Sequence, residues 1–330
     1  MIFSASAPNL DHTMTVVHAP SLLGPSTDLT PALGTVYSSD TQLSQLLESD
    51  DALKTVARLT SERGVLFFRK QDMTLPQQKI LIEKLGAMTN RPADAGLHRG
   101  PMSEHRVAEL GAETSVIASY GGIARAGVVP GTLASTGWHS DISFEKVGSD
   151  YAMLKVHTLP RTGGDTLWGS MYEAYDRLSP RWKKLVEGTT CVHDGNFFHE
   201  TAKLEGRTIL SPRGHPDNAG EDLSAVHPVV RTHPLTGRRF LFVNPVYSKR
   251  ILELTPPESD ATLAYLFKHI VENHDLQLRY CWEKDDIAVW DNRCTVHCAT
   301  NDYGNALREG YRVVGVGEKS FFDPDYEPKK

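Results

Sequence analysis

The chain has 330 residues, of which 40% are hydrophobic and 23% are charged, and its formal net charge is −6. These values suit a globular protein of one large or two small domains, and they give no electrostatic case for binding nucleic acid or an anionic membrane. The four cysteines form no Cys-x-x-Cys pair, and no apolar run reaches the roughly 18 residues that span a bilayer. We therefore expect a cytoplasmic protein without a secretory leader.

The first part of the chain predicts an arm, two helices and a strand between them. Residues 1–33 are rich in Pro, Ser, Thr and Ala and lack periodicity, so we expect an extended or disordered arm there. Leucines and a valine recur at helical spacing over 41–63, and the apolar run 65–68 predicts a buried strand. A second helix is expected over 76–86, from a proline to a glycine.

Short strands dominate the rest of the prediction. Residues 88–135 hold scattered Pro, Gly and Ala and predict a loop or lid with one strand at 115–120. Two helices are expected later, at about 171–178 and after the capping box 255–258. Gly, Pro, Asn or Asp separates many of the apolar runs, as in antiparallel β structure. The runs predicted as strands are 152–158, 165–168, 226–232, 239–243, 287–290 and 312–316.

The predicted elements indicate a mainly β protein with flanking helices. Short antiparallel strands with helices outside them are typical of a β-barrel or jelly roll. Because no repeat and no break in composition divides the chain, we expect a single domain over residues 34–330.

His139 and Asp141 are candidate metal ligands. Residues two apart on an extended segment point to the same side, so both side chains can reach one ion. His297, which follows the predicted strand 287–290, would supply a third ligand, and two imidazoles with one carboxylate suit a ferrous ion with open positions. On spacing alone, a buried histidine hydrogen-bonded to an aspartate is the more common explanation. A second His-x-Asp at 215–217 lies in a Pro- and Gly-rich loop, and we interpret it as surface.

Seven longer motifs lie between residues 138 and 312. They cover 138–144, 159–168, 227–234, 241–244, 290–293, 297–300 and 308–312. In these motifs the chain resembles the taurine/2,4-D (TauD/TfdA-like) dioxygenases, which use Fe(II), 2-oxoglutarate and O2. The resemblance implies their fold, a double-stranded β-helix of the jelly-roll, cupin-like class. It fades between residues 88 and 135 and before residue 33.

The resemblance implies roles for individual residues. His139, Asp141 and His297 match the iron ligands of the family. Arg308 matches the arginine that binds the far carboxylate of 2-oxoglutarate, and Thr166 matches the threonine that assists it. A guanidinium suits this role because it binds a carboxylate bidentately and keeps its charge.

The substrate side of the site is less well defined by the resemblance. Arg312 matches an arginine that meets an anionic group of the substrate or lies close to the cosubstrate. Ile142 is expected to face the pocket, and Tyr247 aligns with a phenylalanine of its wall. His98 matches the first histidine of a His-x-His-Pro segment, whose second histidine helps to bind sulfonate in taurine enzymes. Gly100 stands at that second position, which puts a sulfonate substrate in doubt.

The activity implied is oxidation of an unactivated C–H bond in a small, anionic metabolite, with release of succinate and CO2. The same cofactors would also support desaturation or ring formation on an amino-acid or natural-product substrate. Two other classes stay open: a zinc-dependent hydrolase or lyase on the same barrel, which has no use for Arg308, and a non-catalytic binder. From the residues alone, surface ion pairs also explain Arg308 and Arg312. We expect a small-molecule substrate, no nucleic-acid or membrane partner, and leave homo-oligomerisation open.

Overall fold

The computed structural model describes residues 22–89, 91–102, 107–119 and 133–328. The strands in these ranges are β1 (Ser26–Asp28), β2 (Thr35–Tyr37), β3 (Val65–Phe68), β4 (Thr114–Ala118), β5 (Ser149–Thr158), β6 (Thr166–Ser170), β7 (Thr190–Asp194), β8 (Ser224–Pro228), β9 (Val230–Thr232), β10 (Arg239–Leu241), β11 (Ser248–Ile251), β12 (Gln277–Tyr280), β13 (Asp286–Asp291), β14 (Thr295–Ala299) and β15 (Glu309–Val316). The α-helices are α1 (Leu43–Leu46), α2 (Asp50–Arg63), α3 (Leu75–Met88), α4 (Val107–Leu110), α5 (Met171–Asp176), α6 (Pro180–Val186), α7 (Phe197–Glu205) and α8 (Pro256–Val271).

A seven-stranded sheet forms the centre of the protein. Its strand order is β1-β2-β3-β13-β5-β15-β4, and every neighbouring pair is antiparallel except β2 and β3. Three smaller sheets have the orders β12-β6-β14, β11-β7-β8 and β10-β9. Strands adjacent in a sheet are mostly far apart in the chain, so the sheets join distant segments.

Both faces of the large sheet are buried, and alternate residues of each strand lie on opposite faces. On β3, Leu66 and Phe68 pack with apolar residues of α2 and α3 in one core cluster. The alternate residues Val65 and Phe67 pack in a second cluster with Trp168 of the three-stranded sheet β12-β6-β14. The continuous apolar run 65–68 is therefore a consequence of burial on both sides.

Helix ends follow the capping residues. Ser49 accepts a hydrogen bond from Ala52 N and starts α2, so the helix predicted over 41–63 is divided into α1 and α2. Gly64 ends α2 at a φ of 74°, which a residue with a Cβ rarely adopts, and leads directly into β3. The capping box at Thr255 is present at the start of α8, as predicted.

Other predicted elements differ in extent. The strand predicted over 226–232 is two strands in different sheets, β8 and β9, because the chain leaves one ladder at Val229. The strand predicted at 115–120 is β4, and residue 120 lies outside the described ranges. Strands β1, β2, β7, β11, β12 and β14 and helices α4, α6 and α7 were not predicted, since their runs are short.

The predicted arm is described only from residue 22 onward. There, β1 pairs with β2, and Leu23 and Leu33 are buried, so residues 22–33 pack onto the domain. Residues 1–21 lie outside the described ranges, as do 103–106 and 120–132 of the predicted loop or lid. Within the described ranges, no helix is both long enough and apolar enough to cross a membrane.

Candidate active site

The segment 139–141 is attached to β14 and to the turn before it by consecutive hydrogen bonds. His139 and His297 exchange backbone hydrogen bonds of 3.0 and 2.8 Å. The Ser140 hydroxyl donates to Thr295 O over 2.7 Å, and Asn292 Oδ1 accepts the Asp141 N–H over 3.0 Å. Residues more than 150 positions apart in the chain are thereby placed opposite one another.

This attachment brings the three candidate metal ligands together. Nε2 of His139 lies 3.7 Å and Nε2 of His297 lies 3.8 Å from Asp141 Oδ1. The candidate ligand atoms of the three residues all lie within 4.8 Å of one another. On β14 the neighbours of His297, Val296 and Cys298, pack into a core cluster, so the alternation of the strand turns His297 the other way.

The three side chains have the protonation states that metal binding needs. Burial lowers the pKa of His139, and burial with the nearby His139 and Arg312 lowers the pKa of His297 to about 3. Burial alone would raise the pKa of Asp141, but the charge of Arg312, with a further contribution from the hydrogen bond that Asn292 donates, holds it below its usual range. Both imidazoles are therefore neutral and the carboxylate is charged at neutral pH. His139 Nδ1 lies 2.8 Å from Gly137 O and donates to it, which leaves Nε2 with its lone pair.

A second group of metal-type side chains lies nearby but is already satisfied. It consists of His233, Asp291 and Cys294. Arg293 donates to both carboxylate oxygens of Asp291, over 2.8 and 2.7 Å, and His233 Nε2 lies 3.0 Å from Oδ2. This group is a buried ion pair under the β13–β14 turn rather than a free site.

A cavity of about 940 Å³ opens at the three ligands. All nine residues that the sequence predicted for the site line it: His98, His139, Asp141, Ile142, Thr166, Tyr247, His297, Arg308 and Arg312. The structure therefore brings the predicted residues to one place, while their individual roles stay predictions.

Arg308 is buried in the wall of the cavity. Its side chain donates to Gly164 O over 2.8 Å and lies 3.5 Å from Thr166 Oγ1. Among the described side chains no carboxylate lies within 4.0 Å of it, and burial lowers the pKa of its guanidinium. Surface pairing, the alternative left open for Arg308, is wrong, since the residue is 3% exposed.

Arg312 faces the candidate metal ligands rather than the surface. Its Nη1 donates to Asp141 Oδ1, and its Nε is buried without a hydrogen-bond partner in the part of the chain that the structure describes. Ile142, next to Asp141, has a φ of 50°. A β-branched residue is rare in this region, and such backbone strain costs of the order of 1–3 kcal/mol.

His98 lies in the wall of the cavity with its ring bound to a buried acid. Its Nε2 is 3.1 Å from Oε1 of Glu145, and Arg213 holds the other oxygen over 3.0 Å. Gly100, at the position of the family's second histidine, also lines the cavity.

Two features were incompletely predicted, one in the wall of the cavity and one outside it. Phe144, Phe197 and Phe198 form an aromatic wall with Tyr247, with ring centroids 4.4–6.0 Å apart; the pair in α7 has no motif that marks it. His215, interpreted as surface, is buried, and its Nε2 lies 3.4 Å from Asp94. No third metal-type ligand joins it among the described residues.

Comparisons with known proteins identify the family of this chain. Residues 25–314 match the family described as "Taurine catabolism dioxygenase TauD, TfdA family". The alpha-ketoglutarate-dependent dioxygenase btcD of Neocamarosporium betae is 38% identical, covering 91% of this chain and 92% of the relative. The alpha-ketoglutarate-dependent 2,4-dichlorophenoxyacetate dioxygenase of Cupriavidus pinatubonensis is 31% identical, covering 84% of this chain and 93% of the relative. The crystal structure of a taurine dioxygenase from Burkholderia xenovorans superposes with a TM-score of 0.68 at 25% identity, covering 92% of this chain and 94% of the other. The chain therefore belongs to the TauD, TfdA family, and the predicted class of enzyme, an alpha-ketoglutarate-dependent dioxygenase, is confirmed.

Proposed function

We propose that this chain is an Fe(II)- and 2-oxoglutarate-dependent dioxygenase that oxidises an unactivated C–H bond of a small molecule and releases succinate and CO2. One observation carries the proposal. Three side chains of the right donor type share a cavity with a buried arginine that has no carboxylate partner among the described residues.

The donor set fits a ferrous ion. Two neutral imidazoles and one carboxylate on the same side of an ion leave positions open for a chelating cosubstrate and for O2. Nitrogen and oxygen ligands lie about 2 Å from such an ion, and hence about 3 Å from each other. The distances of 3.7 and 3.8 Å from Asp141 Oδ1 to the two imidazole nitrogens are slightly longer than this value. Small side-chain rotations would bring the three donors onto one ion.

Arg308 and Thr166 fit the far carboxylate of 2-oxoglutarate. A buried guanidinium needs an anion, and a dicarboxylate entering the cavity supplies one. Oγ1 of Thr166 accepts from Trp282 Nε1 over 3.0 Å, so its own proton is available to donate toward the cavity. The two residues would hold the carboxylate with charge-assisted hydrogen bonds.

When bound, the iron and 2-oxoglutarate would supply the oxidising power of the reaction. The chain contributes orientation and a dry site. Trp168 and Trp290 stand beside His297, with ring centroids 6.4 and 5.2 Å away, and restrict both its rotation and the access of water.

The cavity wall favours a substrate with an apolar body. Tyr247 lies between His139 and the phenylalanines, and Ile142 is buried beside them, so these residues would pack against the substrate. Arg312 would meet an anionic or other acceptor group through its Nε, which has no hydrogen-bond partner among the described residues. His98, held by Glu145, would contribute a ring edge to the wall.

We also propose the double-stranded β-helix, jelly-roll class for residues 34–330 as one domain. The large sheet and the sheet β12-β6-β14 share a core cluster, and the cavity lies at its edge. This arrangement is expected of a jelly roll in which two sheets enclose the site.

The test is an anaerobic titration with Fe(II) and 2-oxoglutarate, which should give a metal-to-ligand charge-transfer band in the visible region. Arg308→Ala should strongly weaken 2-oxoglutarate binding and leave Fe(II) binding nearly unchanged. Arg279→Ala is the matched control. Arg279 lies on β12, beside the strand that carries Thr166, and it pairs with Asp165 and Asp302 but does not line the cavity. Folded protein that gives no band contradicts the proposal.

The substrate class is tested by succinate release. We expect acids with an apolar ring to stimulate release more than taurine, because the wall is aromatic and Gly100 offers no side chain to a sulfonate. Stimulation by taurine alone would contradict this expectation.

A further inference from the structure

Asn292 contacts Asp141 at two points. Its Oδ1 accepts the backbone N–H of Asp141 over 3.0 Å, and its Nδ2 lies 3.3 Å from Asp141 Oδ2 and donates to it. The main chain and the carboxylate of one residue are thereby held by a single amide. Oδ2 is turned toward Asn292, while Oδ1 faces Nε2 of both His139 and His297.

The orientation of the Asn292 amide is determined by two further partners. Trp290 Nε1 donates to Oδ1 over 3.0 Å, and Nδ2 donates to Ser149 Oγ over 3.0 Å. Both donors and both acceptor positions of the amide are therefore used. A reversed amide would direct its N–H groups at those of Asp141 and Trp290, so only one orientation is stable.

The strained turn after Asp141 explains why such a contact is needed. Ile142 has a φ of 50° in a region that β-branched residues avoid. If Ile142 relaxed toward an ordinary φ, the preceding peptide would rotate and the Asp141 carboxylate would move. The hydrogen bond from Asp141 N to Asn292 holds the peptide on the other side of Asp141, and the bond from Asn292 Nδ2 to Oδ2 holds the carboxylate itself.

We propose that Asn292 is a positioning residue that keeps Oδ1 of Asp141 directed at the metal, so that metal affinity depends on its side-chain amide. The proposal rests on the proposed function in so far as a divalent metal must bind at His139, Asp141 and His297. Partners that orient a metal ligand typically change metal affinity by about 10–100-fold when they are removed.

The experiment compares Mn(II) binding to the full-length wild type and to Asn292→Ala, with free Mn(II) counted by electron paramagnetic resonance. We expect Kd to rise about 10–100-fold in the variant. The d–d spectrum of the Co(II)-loaded variant should also change, because the carboxylate is no longer held. Folded Asn292→Ala with the wild-type Kd and the wild-type Co(II) spectrum overturns the proposal.

Ser140→Ala is the matched control. It removes a buried hydrogen bond of 2.7 Å, between Ser140 and Thr295, from the same segment, but that bond does not touch the Asp141 carboxylate. We expect Ser140→Ala to lower the free energy of unfolding while its Mn(II) Kd stays close to the wild-type value. An equal rise in Kd in both variants would mean that Asn292 acts only through fold stability, and it would overturn the positioning role.

A second variant tests whether Trp290 affects metal binding through the side-chain amide of Asn292. Trp290→Phe keeps a ring beside His297 but removes the donor that orients Asn292, so Mn(II) affinity should fall by less than in Asn292→Ala. Combined with Asn292→Ala it should cause no further loss, since the indole N–H acts through the amide. Additive losses overturn this route. If Asn292→Ala does not fold, unchanged Mn(II) affinity in Trp290→Phe alone overturns the proposal.

The proposal and the proposed function fail in different ways. A folded wild type that binds no Mn(II) contradicts the metal site and the enzyme class together. A wild type that binds Mn(II), with Asn292→Ala unaffected, contradicts only the role of Asn292.

Discussion

A methyl group on Gly164 would lie 2.9 Å from Cδ of Arg308, and Gly164 O accepts the Nε–H of the same arginine. Gly164 also has a φ of 74°, in the left-handed region. The glycine thus sets both the position and one hydrogen bond of the candidate cosubstrate arginine.

Gly164→Ala should weaken 2-oxoglutarate binding roughly tenfold, because an added methyl group 2.9 Å from Cδ forces Arg308 away from the position in which it donates to Gly164 O. Strain at positive φ should add a loss of about 1–2 kcal/mol in the free energy of unfolding. Gly188→Ala is the control, since Gly188 has a φ of 77° and no heavy atom within 4 Å of an added Cβ. Calorimetric titration with 2-oxoglutarate should distinguish the two, and equal affinities would refute the role of Gly164.

His227 should make stability depend on pH. Burial, and then the charge of Arg231, lowers the pKa of His227 from 6.5 to about 4. Below pH 6.5 the unfolded chain binds a proton that the folded protein does not take up until about pH 4. The free energy of unfolding should therefore fall as the pH drops through this window, by at most about 1.4 kcal/mol per pH unit from this residue.

The measurement for His227 is urea unfolding at several pH values within and above that window. In His227→Gln the decline should be shallower, because the titrating group is gone while an amide can still donate to Glu145 O as Nε2 does. Parallel pH profiles for the wild type and the variant would exclude His227 as a contributor.

Removal of the metal should destabilise the folded protein. A ligand that binds only the folded state adds about 2.7 kcal/mol when its free concentration is 100 times Kd. Chelation with EDTA should therefore lower the thermal unfolding midpoint of metal-loaded wild type. Asp141→Asn keeps the shape of the side chain but removes the charge, so added metal should stabilise it much less. Equal stabilisation of both proteins would argue against Asp141 as a ligand.

The local features of this protein were predictable from the sequence. The capping box at Thr255 and the apolar run of β3 depend on residues close in the chain, and both are present. Likewise, His139 and Asp141 are two residues apart, so an extended backbone alone brings them to one side. The motifs that carried the family resemblance led to Arg308 and Thr166. In the fold, Nη2 of Arg308 lies 3.5 Å from Oγ1 of Thr166.

Contacts between distant segments that no family motif marks were not predictable from the sequence. Asn292 belongs to the motif 290–293, but only the fold shows that its side chain holds Asp141, 151 positions earlier. Phe197 and Phe198 reach the cavity because α7 packs against Phe144 and Tyr247, and no periodicity marks this. The break of the predicted strand 226–232 at Val229 depends on which ladder each half joins.

The sequence by itself determined the kinds of chemistry available: two imidazoles, one carboxylate and arginines at defined spacing, with apolar runs able to form buried strands. Tertiary structure decided how these groups are used. It buried Arg308 with no carboxylate partner in the ranges that the structure describes, paired Asp291 with Arg293, and directed Oδ1 of Asp141 at both imidazoles. The physical reason is that burial and partner choice depend on which distant strands lie side by side, and spacing along the chain does not encode this directly.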